Sequence, residues 1–265
     1  MTILVFGDVV GKIGREAVRL VLPKWREHYT PALILANAEN LAHGAGITTK
    51  TVREMHDMGI NVLTGGNHLW DKPAYADVFA DPELSPMFVR PLNEVRTVPG
   101  VGARLVERGE TSFAILNLMG QAFFKDAYPS PFAAVDEALE KIPPEAIVLV
   151  DVHAEATSEK ALLGKYLDGR ATAVWGTHTH VPSADQRLLP RGTAFATDVG
   201  MSGAHNESIG IRYDLALALM KDKKKSQLVP PENGPAEVNA LLVTLDETSR
   251  RAKDILRLRE IVEIP

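Results

Sequence analysis

The chain has 265 residues and a formal net charge of −5, from 29 Lys and Arg residues against 34 Asp and Glu residues. A chain of this length buries enough surface to fold without disulfides or a structural metal. It has no cysteine, which excludes thiolate catalysis and every cysteine-ligated metal site. The acidic balance argues against a general nucleic-acid coat or a polybasic membrane binder. No apolar run approaches about 18 residues, and no basic leader precedes Ile3, so we expect no membrane span and a cytoplasmic location.

Short apolar runs alternate with amphipathic stretches in the first third of the chain. Ile3–Phe6, Leu33–Ala36 and Ile60–Leu63 are typical of buried strands, and stretches with helical spacing separate them. Pro23 interrupts the first helical pattern and predicts a kink or a split there. This alternation predicts a parallel sheet with crossover helices.

The rest of the chain mixes short strands with fewer helices. The alternation resumes at Ile147–Val150 and Ala171–Trp175. The later predicted elements are two antiparallel strands at Arg187–Leu189 and Thr193–Thr197, a helix at Ile209–Lys221, and a final hairpin of Val238–Leu245 with Ile255–Ile264. Because no long linker divides the chain, we predict one α/β domain over residues 1–265.

Polar residues follow the C-terminal ends of five of these apolar runs. Parallel strands bring such ends to one edge of a sheet, where ligand crevices form. The set offers two carboxylates, two carboxamides and half of the chain's eight histidines. Its members are Asp8, Glu39, Asn40, Asn67, His68, His153, His178 and His180.

Oxygen and nitrogen donors without sulfur suit manganese, iron, zinc or magnesium. A single catalytic ion typically keeps about three or four protein ligands, so eight groups predict two ions. Ions about 3.5–4 Å apart clamp the attacking and leaving oxygens of a phosphoryl displacement. The strongest single element is Gly176-Thr177-His178-Thr179-His180, because two histidines in an extended segment point to the same side.

Each element also has a structural interpretation. Asp8 fits a turn or a helix N-cap, Asn67 fits a tight turn, and His153 fits a hydrogen-bonded edge histidine. His43 and His205 either approach substrate or are structural. A loop carries three aromatic residues that fit a base-stacking lid or core packing: Phe123, Phe124 and Tyr128. The joint occurrence of the strand-end residues favours a functional site.

In chain order, these motifs resemble the calcineurin-like metallophosphoesterase superfamily. Its pattern is a strand-end Asp-x-His, a bridging aspartate, Gly-Asn-His, a lone His and Gly-His-x-His. This sequence has Asp8-Val9-Val10 for the first motif, Glu39 for the bridging acid, and Thr177 inserted before the last histidine pair. These departures, together with Asn37-Ala38-Glu39-Asn40, are similar to one bacterial branch, the YmdB-like phosphodiesterases.

The resemblance implies an αββα sandwich, in which two packed mixed β-sheets are flanked by helices. It also implies a metal-dependent phosphoric diester hydrolase that acts on cyclic nucleotides, 2′,3′-cyclic ones included. Two metal ions are implied, most often iron, with manganese, zinc and magnesium as alternatives. The implied ligands are Asp8, Asn40 and His180 for one ion, Asn67, His153 and His178 for the other, and Glu39 as the bridge. His68 would bind no metal and would act beside the phosphate as general acid or transition-state stabiliser.

We predict that a hydroxide shared by the two ions attacks phosphorus in line while His68 assists the leaving oxygen. A phosphomonoesterase or an RNA-directed phosphodiesterase with the same centre is one alternative. A regulatory protein that senses a nucleotide or RNA is another, although the intact Asn67-His68 pair argues against it. We expect a small phosphodiester as partner, RNA as a second candidate, no membrane, and a homo-oligomer.

Overall fold

The computed structural model describes residues 1–224 and 227–265. The first third of the chain forms four parallel strands, the first three of which the alternation predicted, with helices between them. The elements are β1 (Thr2–Val9), α1 (Gly11–Tyr29), β2 (Leu33–Asn37), α2 (Thr49–Asp57), β3 (Val62–Thr64), α3 (Tyr75–Ala80), a 3₁₀ turn (Ser85–Met87) and β4 (Phe88–Val89).

The middle of the chain forms the second sheet. Its elements are β5 (Ala103–Arg108), β6 (Thr111–Met119), α4 (Pro131–Leu139), β7 (Ile147–His153), α5 (Thr157–Tyr166), β8 (Ala173–Thr177), β9 (Arg187–Leu188) and β10 (Ala194–Ala196). Within the described residues the strand order is β5-β6-β7-β8-β10-β9. The central strands run parallel, and β5 and β9 pair antiparallel at the two edges.

The chain then returns to the first sheet. β11 (Met201–Ala204) pairs parallel with β1, and α6 (Tyr213–Met220) follows. β12 (Gly234–Leu245) and β13 (Ala252–Ile264) form the predicted antiparallel hairpin. Across the described part of the chain, the first sheet has the order β13-β12-β11-β1-β2-β3-β4.

Side chains of β1 alternate between two cores. Ile3 and Val5 belong to the core that both sheets share, whereas Leu4 and Phe6 belong to the core beneath α1. The Phe6 ring stacks on Trp25 of α1 with 5.7 Å between the ring centroids. Because both faces of the strand are buried, β1 reads as an unbroken apolar run.

The second sheet repeats this division. Ile147 and Leu149 of β7 face the shared core, whereas Val148 and Val150 lie in a third core together with Leu163 of α5. The layers are therefore helix, sheet, sheet, helix, which confirms the predicted αββα class. In the described ranges, no helix combines the length and apolarity that crossing a bilayer requires.

The structure differs from two local predictions and adds one strand that was not predicted. Pro23 lies inside α1, which runs as one helix from Gly11 to Tyr29, so the helix is not split there. The helix predicted at Ile209–Lys221 begins at Tyr213, because Ile209 has a left-handed backbone with φ of 46°. β11 had no predicted counterpart.

The predicted extended segment after β8 is wrong. β8 ends at Thr177, and both following histidines have left-handed backbones, with φ of 98° at His178 and 64° at His180. Left-handed backbone is costly for a residue with a Cβ. Tertiary contacts, rather than strand geometry, must therefore hold the two histidines.

Candidate metal centre

His153, at the end of β7, is the central side chain of the site. Its Nε2 lies 3.2 Å from Glu39 Oε1, 3.1 Å from Asn67 Oδ1 and 3.1 Å from His178 Nδ1. Ligand atoms about 2.1 Å from one ion lie about 3.0–3.4 Å from each other. Among the described residues, Glu39, His153 and His178 form the one group of three acidic or histidine ligands whose atoms all lie within 4.8 Å of one another.

The turn after β3 lies directly against this cluster. A Cβ at Gly66 would clash with the His153 ring and with the carboxylate of Glu39. Glycine at this position therefore lets the backbone approach the ligand set closely enough for Asn67 to reach His153.

Asp8 and Asn40 lie in the same region, and each carries an unsatisfied oxygen. Asp8 Oδ2 accepts the backbone N–H of His178 at 3.0 Å, and the Asn40 amide donates from Nδ2 to the Gly44 carbonyl at 2.9 Å. Asp8 Oδ1 and Asn40 Oδ1 are buried and have no hydrogen-bond partner within the described residues. An unpaired buried oxygen is costly, so these two atoms fit a bound cation.

His180 is held by its other nitrogen. Its Nδ1 donates to the Ile209 carbonyl at 2.9 Å, which leaves Nε2 as the nitrogen with a free lone pair. Burial raises the pKa of Asp8, and the nearby His180 offsets part of that rise. The structure thus brings His180 to Asp8, although not through the strand geometry that the sequence predicted.

The donors open onto a cleft of about 390 Å³, a size within the usual range of about 300–1,000 Å³ for ligand sites. Its polar lining comes from Glu39, Asn40, His68, Glu155, Thr179, His178 and His180. Five of the eight predicted residues thus line this cleft. Of the other three, His153 contacts Glu39, Asn67 contacts His153, and Asp8 accepts the backbone N–H of His178.

His68 stands at the cleft without joining the cluster. Its backbone N–H donates to Glu39 Oε2 at 2.9 Å, and its ring Nδ1 lies 2.7 Å from Asp71 Oδ2. The side chain is 41% exposed, in contrast to the buried His153. Asp71 therefore orients the ring and leaves Nε2 as the nitrogen that can meet a ligand.

Glu39 and His178 are in the forms that bind a metal ion, whereas His153 must first lose a proton. Burial alone would raise the pKa of Glu39, but His153 and His68 outweigh it and lower this pKa to about 2. Burial would lower the pKa of His153, yet Glu39 and Asp8 raise it to about 9. Burial and the neighbouring His153 lower the pKa of His178 to about 3, so His178 is neutral at pH 7. An ionised carboxylate and a neutral imidazole are the forms that bind metals.

Sequence reasoning missed the polar residues behind the cluster. Asp151 and Thr177 are buried beside His153, and burial raises the pKa of Asp151 to about 6. Glu155 Oε2 lies 3.1 Å from His178 Nε2 on the solvent side. The sequence did contain one indication of Asp151 and Glu155, because each lies two residues from the predicted ligand His153.

The three aromatic residues of the loop lie in different surroundings. The Phe124 ring lies 5.0 Å from the His178 ring, measured between centroids, while Tyr128 is buried. Phe123 is 85% exposed. His43 lines a different cavity beside Lys12. His205 Nδ1 lies 3.8 Å from Glu237 Oε2.

A buried ion pair supports the loop of the two left-handed histidines. Lys160 Nζ of α5 lies 2.7 Å from Asp198 Oδ2, and the two side chains are only 1% and 3% exposed. The same oxygen accepts the Thr179 hydroxyl at 2.8 Å, and Asp198 Oδ1 accepts the Gly200 N–H at 2.8 Å. Lys160 therefore holds Asp198, and Asp198 in turn holds Thr179, the residue between His178 and His180.

Replacing Lys160 with methionine is expected to destabilise the protein by about 3–5 kcal/mol, because it leaves the buried carboxylate of Asp198 without its cation. Urea unfolding of the metal-free protein measures this loss. Lys165→Met on the exposed face of the same helix is the matched control, with an expected change within about 0.5 kcal/mol. Equal stability of the two variants would show that the pair contributes little.

A protein of Bacillus subtilis, named 2′,3′-cyclic-nucleotide 2′-phosphodiesterase, is 38% identical over 259 residues, covering 97% of this chain and 96% of that protein. A solved structure of a hypothetical protein from Thermus thermophilus superposes with a TM-score of 0.90 at 37% identity and 100% coverage of both chains. A solved structure described as a novel phosphatase from Mycoplasma pneumoniae gives a TM-score of 0.91 at 30% identity, covering 100% of this chain and 95% of that one.

The family described as YmdB-like protein matches residues 4–258. This match includes every strand end that contributes to the cleft. The sequence resemblance is therefore confirmed, and the chain belongs to the YmdB-like family.

Proposed function

We propose that this protein is a metal-dependent phosphodiesterase that hydrolyses 2′,3′-cyclic nucleotides. The observation that carries the proposal is the convergence of Glu39, Asn67 and His178 on His153 Nε2 at 3.1–3.2 Å, beside the exposed His68 in an open cleft. The substrate class is supported by the name of the Bacillus subtilis relative, which matches this chain along nearly its whole length.

We further propose that the cleft holds two metal ions. The donors for one ion are Asn67, His153 and His178, those for the other are Asp8, Asn40 and His180, and Glu39 is shared. The buried, unpartnered oxygens of Asp8 and Asn40 support this division. Bound ions would lower the pKa of a coordinated water toward neutrality and neutralise phosphoryl charge. The sulfur-free donor set suits iron, our first choice, and also manganese, zinc and magnesium.

His68 acts on the substrate itself in this proposal. Asp71 holds its Nδ1, so Nε2 presents either a proton or a hydrogen bond to the oxygen that leaves phosphorus. Its backbone N–H is engaged with Glu39, so the position of the residue is coupled to the shared carboxylate. Neutral His178 keeps a lone pair for binding and adds no positive charge that would repel a cation.

A substrate panel with purified, metal-analysed protein tests this proposal. The panel compares 2′,3′-cyclic nucleotides, 3′,5′-cyclic nucleotides, p-nitrophenyl phosphate and short RNA under each of the four metals. We expect the highest kcat/KM on a 2′,3′-cyclic nucleotide. A preference for p-nitrophenyl phosphate would assign a phosphomonoesterase, and a preference for RNA would assign an RNA-directed enzyme. Nucleotide binding without turnover under every metal would favour the sensor alternative.

We also propose that residues 1–265 act as one metallophosphoesterase domain. Both sheets contribute to one shared apolar core, and both supply side chains to the cleft. The cytoplasmic location and the homo-oligomer stay predictions from the sequence.

Metal binding at pH 7 is expected to release at least one proton. The pKa of His153 is raised to about 9 in the metal-free protein, so its imidazole is protonated at pH 7 and must lose the Nε2 proton to bind an ion. Apparent affinity for Zn²⁺ should therefore rise about tenfold or more per unit between pH 6 and 8. Calorimetry in buffers with different ionisation enthalpies measures the proton count. A pH-independent affinity would contradict the assignment of His153 as a ligand.

A further inference from the structure

Two buried residues behind His153 form a hydrogen-bonded chain that the proposed catalysis does not use. His153 Nδ1 lies 2.9 Å from Thr177 Oγ1, and Thr177 Oγ1 lies 2.8 Å from Asp151 Oδ1. The sheet register explains the contact, because His153 of β7 is directly paired with Thr177 of β8. All three side chains are fully buried, so water does not compete for these bonds.

The carboxylate of Asp151 accepts hydrogen bonds in this network. The Thr64 hydroxyl contacts Oδ2, the Thr177 hydroxyl contacts Oδ1, and the Asn37 amide nitrogen lies 3.5 Å from Oδ2. Asn37 cannot be turned to present its oxygen instead, since that oxygen already accepts the backbone N–H of Glu39 at 3.1 Å. A group surrounded by donors acts as an acceptor.

These contacts fix which atom donates in each hydrogen bond between His153, Thr177 and Asp151. A hydroxyl has one hydrogen, and Thr177 uses its hydrogen on Asp151. In the contact with His153, the Thr177 oxygen must therefore be the acceptor, and this requires a proton on His153 Nδ1. Asn37 Nδ2 also approaches His153 Nδ1, but at 3.4 Å against 2.9 Å for Thr177, so the Thr177 contact is the hydrogen bond.

We propose that Thr177 and Asp151 are positioning residues that keep the proton of His153 on Nδ1 and turn the Nε2 lone pair toward the metal ions. The inference rests on the proposed function in one respect, since it takes the cluster around Nε2 as a metal site. A ligating histidine is commonly fixed in this way by an acceptor on its second nitrogen. Thr177, the residue inserted before the last histidine pair, would thus orient a metal ligand.

Two variants of Thr177 separate the hydroxyl from the shape of the side chain. Thr177→Val keeps the branched side chain and removes the hydroxyl, whereas Thr177→Ser keeps the hydroxyl. We expect Thr177→Val to weaken Zn²⁺ binding about 10–100-fold, the usual effect of losing such a partner, and Thr177→Ser to restore most of it. Competition with a chelating dye measures the affinities. Thr193→Val, which deletes a fully buried hydroxyl near the opposite end of the second sheet, is the control and should leave Zn²⁺ affinity unchanged.

The tautomer is observed directly by nitrogen-15 NMR of the histidine rings in the Zn²⁺-loaded protein. We expect a protonated Nδ1 on His153 in the wild type, with slow exchange of that proton, and faster exchange in Thr177→Val. Equal Zn²⁺ affinity of Thr177→Val and wild type would overturn the inference. Equal losses in Thr177→Val and Thr177→Ser would also overturn it, because packing would then be responsible. A protonated Nε2 in the Zn²⁺-loaded wild type would do the same without any variant.

These measurements use no substrate. If the phosphodiesterase assay fails while the tautomer and affinity results hold, only the proposed function is lost. If the affinity and tautomer results fail while cyclic nucleotides are hydrolysed, only the role of Thr177 and Asp151 is lost.

Discussion

Replacing His68 with alanine is expected to lower kcat on a 2′,3′-cyclic nucleotide by about 10²–10⁴-fold, the usual contribution of a positioned acid or base. Metal content should stay near the wild-type value, because the contact of residue 68 with Glu39 comes from the backbone N–H, which alanine retains. The substitution removes only the imidazole that Asp71 orients. Steady-state kinetics and metal analysis by mass spectrometry, run on the same preparation, measure both quantities.

His56 supplies a matched control for this substitution. Its ring also contacts a carboxylate, with 3.2 Å between Nδ1 and Asp57 Oδ1, but it lies on α2 and does not line the cleft. His56→Ala should leave kcat unchanged. Loss of metal from His68→Ala would make His68 a ligand or a support for one, and an unchanged kcat would remove it from the reaction.

Strands β1, β2 and β3 of the first sheet were predictable because they are buried on both faces. Leu33–Ala36 divides its side chains between two cores, so it reads as a continuous apolar run. β11 was not predictable, since Met201-Ser202-Gly203-Ala204 has no β-branched or aromatic residue. Its strand geometry is imposed by its neighbours β1 and β12, and tertiary pairing of this kind is absent from local sequence.

The membership of the site was predictable for a different reason. Parallel strands deliver their C-terminal ends to one edge of their sheet, so the residues after β2 and β3 meet in the first sheet and those after β7 and β8 meet in the second. The contact between the two edges comes from the packing of the sheets, which the rule does not give. The conformation of the last motif did not follow from that rule. His178 adopts φ of 98° with its N–H on Asp8, and the next residue, Thr179, is held by Asp198. These partners are distant in sequence, so the spacing of the two histidines could not reveal them.

The same reasoning explains why the buried supports were missed. Lys160 lies in a helix whose neighbouring residues include exposed polar ones, and a lysine there is ordinarily solvated. Its burial depends on Asp198, which follows β10. A buried ion pair of this kind joins residues that are distant in sequence, so no local sequence pattern predicts it.

Glu39→Gln is expected to have the largest effect on metal content. Glu39 is the buried carboxylate of the cluster, with a pKa of about 2 and its Oε1 3.2 Å from His153 Nε2. Glutamine keeps the size and one oxygen but removes the negative charge that would offset the two proposed cations. We expect binding of both ions to weaken by more than the roughly 100-fold that outer partners contribute, with turnover falling in parallel. Metal analysis and kinetics at limiting and saturating metal measure the two effects.

Glu54→Gln is the matched control, because Glu54 is a paired carboxylate outside the cleft, 2.6 Å from Arg15 Nε. It should retain wild-type metal content and turnover. If Glu39→Gln loses one ion and keeps the other, Glu39 serves a single ion and the shared-ligand proposal is wrong. If it keeps both ions at full rate, the carboxylate is no ligand. The charge on His153 supplies a further check, since loss of Glu39 removes the main reason for its raised pKa and should make metal binding less dependent on pH.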